Sequence, residues 1–181
     1  MPLNAEALSL GAGFLYIAAL TSTEPSDLTT PWDGSWVKIG YTSEGHTMTY
    51  GITSEGIKVA EVLGPVRQEN TERTITVEFA MAEITATNLI RAMNGGDSVT
   101  GSGIVTVQPP SLRDAVIYKM LGWEAFDASE RIVWRKCIQS KEFAIPRKKA
   151  PDYATIPVSF TVLEVDETTK PFKHIFDDSR A

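Results

Sequence analysis

The stretch Thr74-Ile75-Thr76-Val77-Glu78-Phe79-Ala80-Met81 alternates without a break. Ile75, Val77, Phe79 and Met81 fall on one side, and Thr74, Thr76, Glu78 and Ala80 on the other. A period of two with one apolar face predicts a strand buried on one side and wet on the other. The period changes just downstream. Ala86, Leu89, Ile90 and Met93 recur at spacings of three and four, which predicts a helix over Thr85–Met93. Thr85 or Thr87 can cap its start, and Asn94-Gly95-Gly96 stops it, with Gly95 suited to the left-handed position after the last turn.

Upstream of this unit, Thr42-Ser43-Glu44-Gly45 recurs as Thr53-Ser54-Glu55-Gly56. Each copy offers polar turn residues and a glycine, so the pair predicts two turns flanking a short strand, His46–Ile52. Ile57–Leu63 reads as a further strand. Nearer the start, Phe14–Leu20 reads as a strand after Gly11 and Gly13, Thr21–Ser35 as a loop holding Pro25, Pro31 and Gly34, and Trp36–Tyr41 as an apolar, aromatic strand. Downstream of the loop Gly95–Gly103, strands are expected at Ile104–Gln108, Ala115–Trp123, Arg131–Gln139 and Thr155–Val165. About eight strands and one helix predict a mainly β fold, a two-sheet β-sandwich or half-barrel with the helix over one edge or face. The expected organisation is one domain over residues 1–165, with an N-terminal arm at 1–13 and a C-terminal tail at 166–181. In that tail Phe172, Ile175 and Phe176 can dock onto a neighbour.

Composition narrows the function. The chain has 181 residues, 43% of them hydrophobic, and a formal net charge of −6. Bulk charge of that sign repels nucleic acid. No segment approaches the roughly 18 apolar residues of a membrane span, so no membrane partner is expected. The apolar run Leu8–Leu20 lacks the basic start of a secretory signal, since the first base is Lys38. It reads as an arm followed by a buried strand. Cys137 is the single cysteine and cannot form an internal disulfide, which fits assembly in a reducing cytoplasm.

Little in the sequence points to catalysis. His46 and His174 lack the close partners that a zinc site needs, and Cys137 in a strand reads as a small buried hydrophobe. Phosphate cradles, nucleophile elbows, dinucleotide fingerprints and calcium loops are all missing. The expectation is therefore no catalytic residue, no metal and no cofactor. Charge is more informative. Glu6, Glu24, Asp27 and Asp33 make the first 37 residues acidic, whereas Arg131, Arg135, Lys136, Lys141, Arg147, Lys148 and Lys149 crowd into 19 residues against Glu142. Three readings of the basic stretch stay open: a solvated face, a contact with an acidic patch on another copy, or nucleic-acid binding.

The order from Gly11 to Gly96 carries a resemblance. Trp36–Gly45 reads WVKIGYTSEG, Ile57–Arg67 reads IKVAEVLGPVR, and Thr74–Gly96 reads TITVEFAMAEITATNLIRAMNGG. This succession resembles the major tail, or tail tube, proteins of long-tailed, non-contractile siphophages, especially those of actinobacteria. Residues 103–165 match only in strand content and spacing. The resemblance implies a fold shared with contractile-tail tubes and with the tube component of type VI secretion. It implies hexameric rings stacked helically into a hollow virion tail, assembled in the bacterial host cytoplasm. Partners would be copies of the chain, a tape measure protein, a tail terminator and distal tail or baseplate proteins. Phage DNA would pass through the lumen without specific binding. A tail terminator, a capsid decoration protein and a type VI-like tube protein are the alternatives, and a carbohydrate-binding sandwich using Trp32, Trp36 or Trp123 is a fourth. On the tube reading, Thr76 and Glu78 are expected to face the lumen, with outward solvent as the competing position. Arg147, Lys148, Lys149, Phe172 and Phe176 are expected at contacts between subunits.

Overall fold

A computed structural model describes residues 11, 13–147, 149 and 152–177. Ten strands and one helix follow in order: β1 (Gly13–Ala19), β2 (Val37–Lys38), β3 (Thr42–Lys58), β4 (Pro65–Met81), α1 (Ala86–Ala92), β5 (Asp97–Gly101), β6 (Ile104–Gln108), β7 (Lys119–Ala125), β8 (Glu130–Gln139), β9 (Ile156–Val162) and β10 (Phe172–Phe176). The main sheet runs β2-β1-β7-β8-β9-β4-β3, with β10 also on β8, while β5 and β6 form a separate hairpin. The fold is mainly β, and the main sheet is curled but not closed.

The curl makes the core. Ile75, Val77, Phe79 and Met81 are buried, and Thr76, Glu78 and Ala80 between them are half-buried, as the alternation requires. They face Leu15, Ile17, Leu121, Trp123, Ile132, Trp134, Ile156, Val158 and Phe160 from the other strands. The far margin of the sheet folds back over its middle. Trp134 Nε1 donates to Met48 Sδ at 3.2 Å, and the His46 ring lies 5.1 Å from that of Trp123 and 5.4 Å from that of Trp134. A second apolar layer covers the outer face of β1, β7 and β8: Tyr16, Ala18, Trp36, Met120 and Val133, with Trp32 laid over them. These strands are therefore buried on both faces, which is why they read as continuous apolar runs rather than alternating ones. Gly122 makes room for this layer, because a Cβ there would come within 2.5 Å of the Trp32 ring. Burial of Trp36 and Trp123 removes the flat aromatic platform a carbohydrate site would need.

Three expectations are corrected. Both T-S-E-G copies lie inside the single 17-residue strand β3, not in turns. The register shifts between Thr42 and His46 and again between Thr53 and Ser54, so each copy marks a β-bulge, and Gly45 supplies a positive φ of 79° at the first. Ile57–Leu63 is no strand of its own. It holds the end of β3 and the apex of a hairpin whose return strand starts at Pro65. At the end of α1, Asn94 rather than Gly95 takes the left-handed conformation, at φ 56°. Its amide explains the choice: Nδ2 donates to the Gln139 carbonyl at 2.6 Å and Oδ1 accepts from the Gln139 N–H at 2.9 Å. That exchange copies a strand ladder and ties the helix end to β8. At the start of α1, Thr85 accepts from the Asn88 N–H, as a cap does.

The expected boundary at residue 165 also gives way. Phe172–Phe176 is a strand of the main sheet, paired from Phe172 opposite Trp134 to Phe176 opposite Glu130. Phe172 packs half-buried against the chain's own core, while Phe176 is half exposed at 49%. Of the expected N-terminal arm, residues 1–10 and 12 lie outside the described residues.

Candidate assembly surface

Cross-strand partners share a face, so the register lays out the wet side of the sheet. Thr47, Glu78 and Ser159 form one row and Thr49, Thr76 and Thr161 the next. Gly51 with Thr74, and Thr53 with Glu72, continue the same face outward. The result is a surface rich in hydroxyls with two carboxylates. Glu78 is not a bare charge. Lys141 forms an ion pair with it, and Ser159 Oγ donates to it at 3.0 Å. The Lys141 and Ser159 bonds hold its carboxyl below the usual range.

The β3–β4 hairpin continues well beyond the core. From Tyr50 to Thr74 every residue is exposed apart from the half-buried Gly64. At ~3.3 Å per residue, the eleven steps from Gly64 to Ile75 reach about 36 Å. Among the described residues β3 pairs only with β4, so its outer edge keeps a free row of backbone donors and acceptors. The opposite margin of the sheet is the two-residue strand β2. Among the described residues both margins are open, and open strand edges are templates for association.

The basic stretch is divided by the fold. Arg131 is 4% exposed; it pairs with Glu124 (Nε at 2.8 Å) and donates through one amino group to the carbonyls of Asp27 at 2.7 Å and Thr30 at 2.6 Å. The same Glu124 accepts from Tyr16 Oη at 3.2 Å and Trp32 Nε1 at 3.0 Å. Burial and the adjacent Glu124 charge push the Tyr16 hydroxyl up to about 12. Arg135 grips Glu24 with two bonds at 2.6 and 3.0 Å and donates to the Lys170 carbonyl at 2.7 Å. The acidic N-terminal region and the basic stretch therefore do meet, but inside one chain, where they clamp the 20–36 loop to the sheet. Asp27 prepares that loop. Its carboxylate accepts from the Thr30 and Thr29 N–H groups at 2.6 and 2.8 Å, which holds it well below the usual carboxylate range and presents its carbonyl to Arg131. The charge asymmetry carries the signal for this clamp, but the three readings of the basic stretch, a solvated face, another copy or nucleic acid, do not include a partner within the same chain.

Arg147 and Lys149 stay exposed beyond this clamp, and Lys148 lies outside the described residues. Arg147, Lys149 and Phe176 are not brought together with Thr76 and Glu78 by any described contact.

Burial at His46 has a measurable consequence. Its Nδ1 is buried without a hydrogen-bond partner. Desolvation lowers its pKa, opposed by Glu130 and reinforced by His174, which pairs with Glu130 at 2.6 Å. The unfolded chain then takes up the proton first as pH falls. The stabilisation is complete above the ordinary value of about 6.5 and is lost below it. We expect the melting temperature to drop between pH 7 and pH 5, and His46→Leu to flatten that drop without lowering the midpoint at pH 8.

Among the described residues no three or more His, Cys, Asp and Glu side chains are placed to hold a metal ion. Cys137 is buried, and burial drives its thiol well above the ordinary range. No helix is long and apolar enough to cross a membrane among the described residues. A comparison with curated proteins gives no match. The model of the phage tail tube protein family matches residues 1–181, the full length of the sequence, and this chain belongs to that family.

Proposed function

We propose that copies of this chain join edge to edge into hexameric rings, and that the rings stack helically into the tail tube through which phage DNA is ejected. The family makes the chain a structural component of the virion tail. The observation that carries the finer reading is the pair of open margins: a strand with a free 17-residue edge on one side and a two-residue strand on the other. Pairing unlike margins around a closed circle satisfies every edge and makes a barrel. A head-to-tail contact of this kind closes into rings, and a second contact along the axis adds rings into a filament. The main partner is the chain itself. Arg147, Lys148, Lys149 and Phe176 are assigned to contacts between copies; tape measure, tail terminator and distal tail or baseplate proteins start and end the tube. Assembly belongs in the host cytoplasm. Negative-stain microscopy of the purified chain at high concentration tests this directly. Hollow tubes or six-fold rings are expected, and a protein that stays monomeric even with a distal tail complex present overturns the reading.

The face bearing Thr76 and Glu78 is assigned to the lumen. Duplex DNA carries one negative charge per ~1.7 Å of axis. A wall of hydroxyls on which Lys141 already pairs Glu78 and Glu72 adds a carboxylate repels or ignores it, and a cationic wall holds it. Glu78→Lys removes a carboxylate, adds a base and leaves Lys141 without its partner. Tubes of this variant are expected to form, with DNA release slowed several-fold at low salt and recovering as salt rises. Release at the unmodified rate places Glu78 elsewhere.

A further inference from the structure

Among the described residues two apolar surfaces lack a partner, and they sit at different places in the fold. The first is the hairpin apex. Val59, Val62, Leu63 and Val66 are 40%, 52%, 108% and 52% exposed, with Glu61 among them. Apolar side chains grouped so openly mark an interaction site. The arm that carries them is bare on both faces, so nothing among the described residues covers them. The second surface is a groove of about 370 Å³ between α1 and the β1–β2 margin. Val37, Ile90, Ile117 and Phe160 give it apolar walls, and Arg91 and Lys119 line it as well. Among the described residues neither base forms an ion pair. The Arg91 guanidinium bonds to Asn88 Oδ1 at 2.7 Å, and burial lowers its pKa.

We infer that the groove between α1 and the β1–β2 margin receives the hairpin apex of a second copy, with Leu63 and Val62 against its apolar walls and Glu61 beside Arg91 and Lys119. The match is one of shape and charge: an apolar tip with one carboxylate meets an apolar cleft with two unpaired bases. A cleft of this size accommodates two aliphatic side chains. Tip and cleft are different patches on each copy, so the contact is head-to-tail and propagates rather than ending at a dimer. It rests on the tube reading and supplies its receptor surface.

The test uses the full chain with Leu63→Cys and Val37→Cys together, assembled and treated with a bis-maleimide. Buried Cys137 keeps the background low. A ladder of crosslinked oligomers is expected from the double variant and none from either single one. In parallel, Glu61→Lys and Lys119→Glu are each expected to raise the concentration for half-maximal assembly about fivefold, and the two together to restore most of it. Unchanged melting temperatures exclude misfolding. Tubes that form without a ladder and without charge rescue overturn the inference and leave the tube reading intact. Absence of any assembly by the unmodified chain overturns both. A ladder from Leu8→Cys with Val37→Cys gives the groove to residues 1–10 and also overturns it.

Discussion

Arg131→Met is expected to lower the melting temperature by about 6–20 °C, the largest effect of any single polar substitution in this chain. The side chain is 5% exposed and its partner Glu124 is 14% exposed. Removing one member of a buried ion pair leaves the other charge uncompensated, at a cost of about 3–5 kcal/mol. At this chain length each kcal/mol moves the midpoint by about 2–4 °C. More than the pair is lost. The carbonyls of Asp27 and Thr30 lose their donor, so the 20–36 loop is released from the sheet. Trp32 lies on that loop, its ring 4.5 Å from Tyr16 and 4.7 Å from Trp36. Its release exposes indole to water, and tryptophan emission should shift to the red before global unfolding. Arg131→Met combined with Glu124→Leu removes both charges and is expected to recover part of the loss. Recovery stays incomplete because Tyr16 Oη and Trp32 Nε1 then have no acceptor. A midpoint within 2 °C of the unmodified chain for Arg131→Met would mean that the clamp is incidental.

The clamp also shows where the sequence could be read and where it could not. Strands with a single period were legible: Thr74–Met81 shows which side faces the core without reference to any other residue. The helix was legible too, because spacing and cap agree locally. Each miss depends on a distant partner. Asn94 takes the left-handed turn because Gln139, 45 residues away, accepts and donates to its amide. The T-S-E-G copies have turn chemistry, but β4 holds them extended by offering a matching edge; Gly45 serves a bulge, whereas Gly56 stays in register opposite Gln68. Phe172–Phe176 reads as a polar tail until β8 presents Glu130–Trp134 to pair with it. The face bearing Thr76 and Glu78 was visible as wet. That Lys141 and Ser159 neutralise and orient Glu78 needed the fold, since these residues lie 63 and 81 positions away.

Removing the arm separates folding from assembly. Ile52 pairs with Arg73, so replacing residues 53–72 by Asn-Gly closes the ribbon at an existing cross-strand pair with residues suited to a two-residue turn. Everything deleted is exposed apart from the half-buried Gly64, and no core residue is touched. The Arg73–Glu164 ion pair is retained. The shortened chain is expected to remain a folded monomer, with a melting temperature within about 4 °C of the full chain, since loss of exposed surface residues costs little. Loop closure favours the shorter connection slightly. Assembly is another matter. The deletion takes away the outer third of the free β3 edge and the apolar apex together, and tube yield by sedimentation is expected to fall more than a hundredfold. Such a split, intact stability with lost polymerisation, is what distinguishes an arm kept for partners from one that supports its own domain. If instead the shortened chain unfolds, the ribbon contributes to the monomer's stability; if it still makes tubes at full yield, ring and filament contacts lie wholly on the body, and the open margins of β3 and β2 have to be satisfied without the arm.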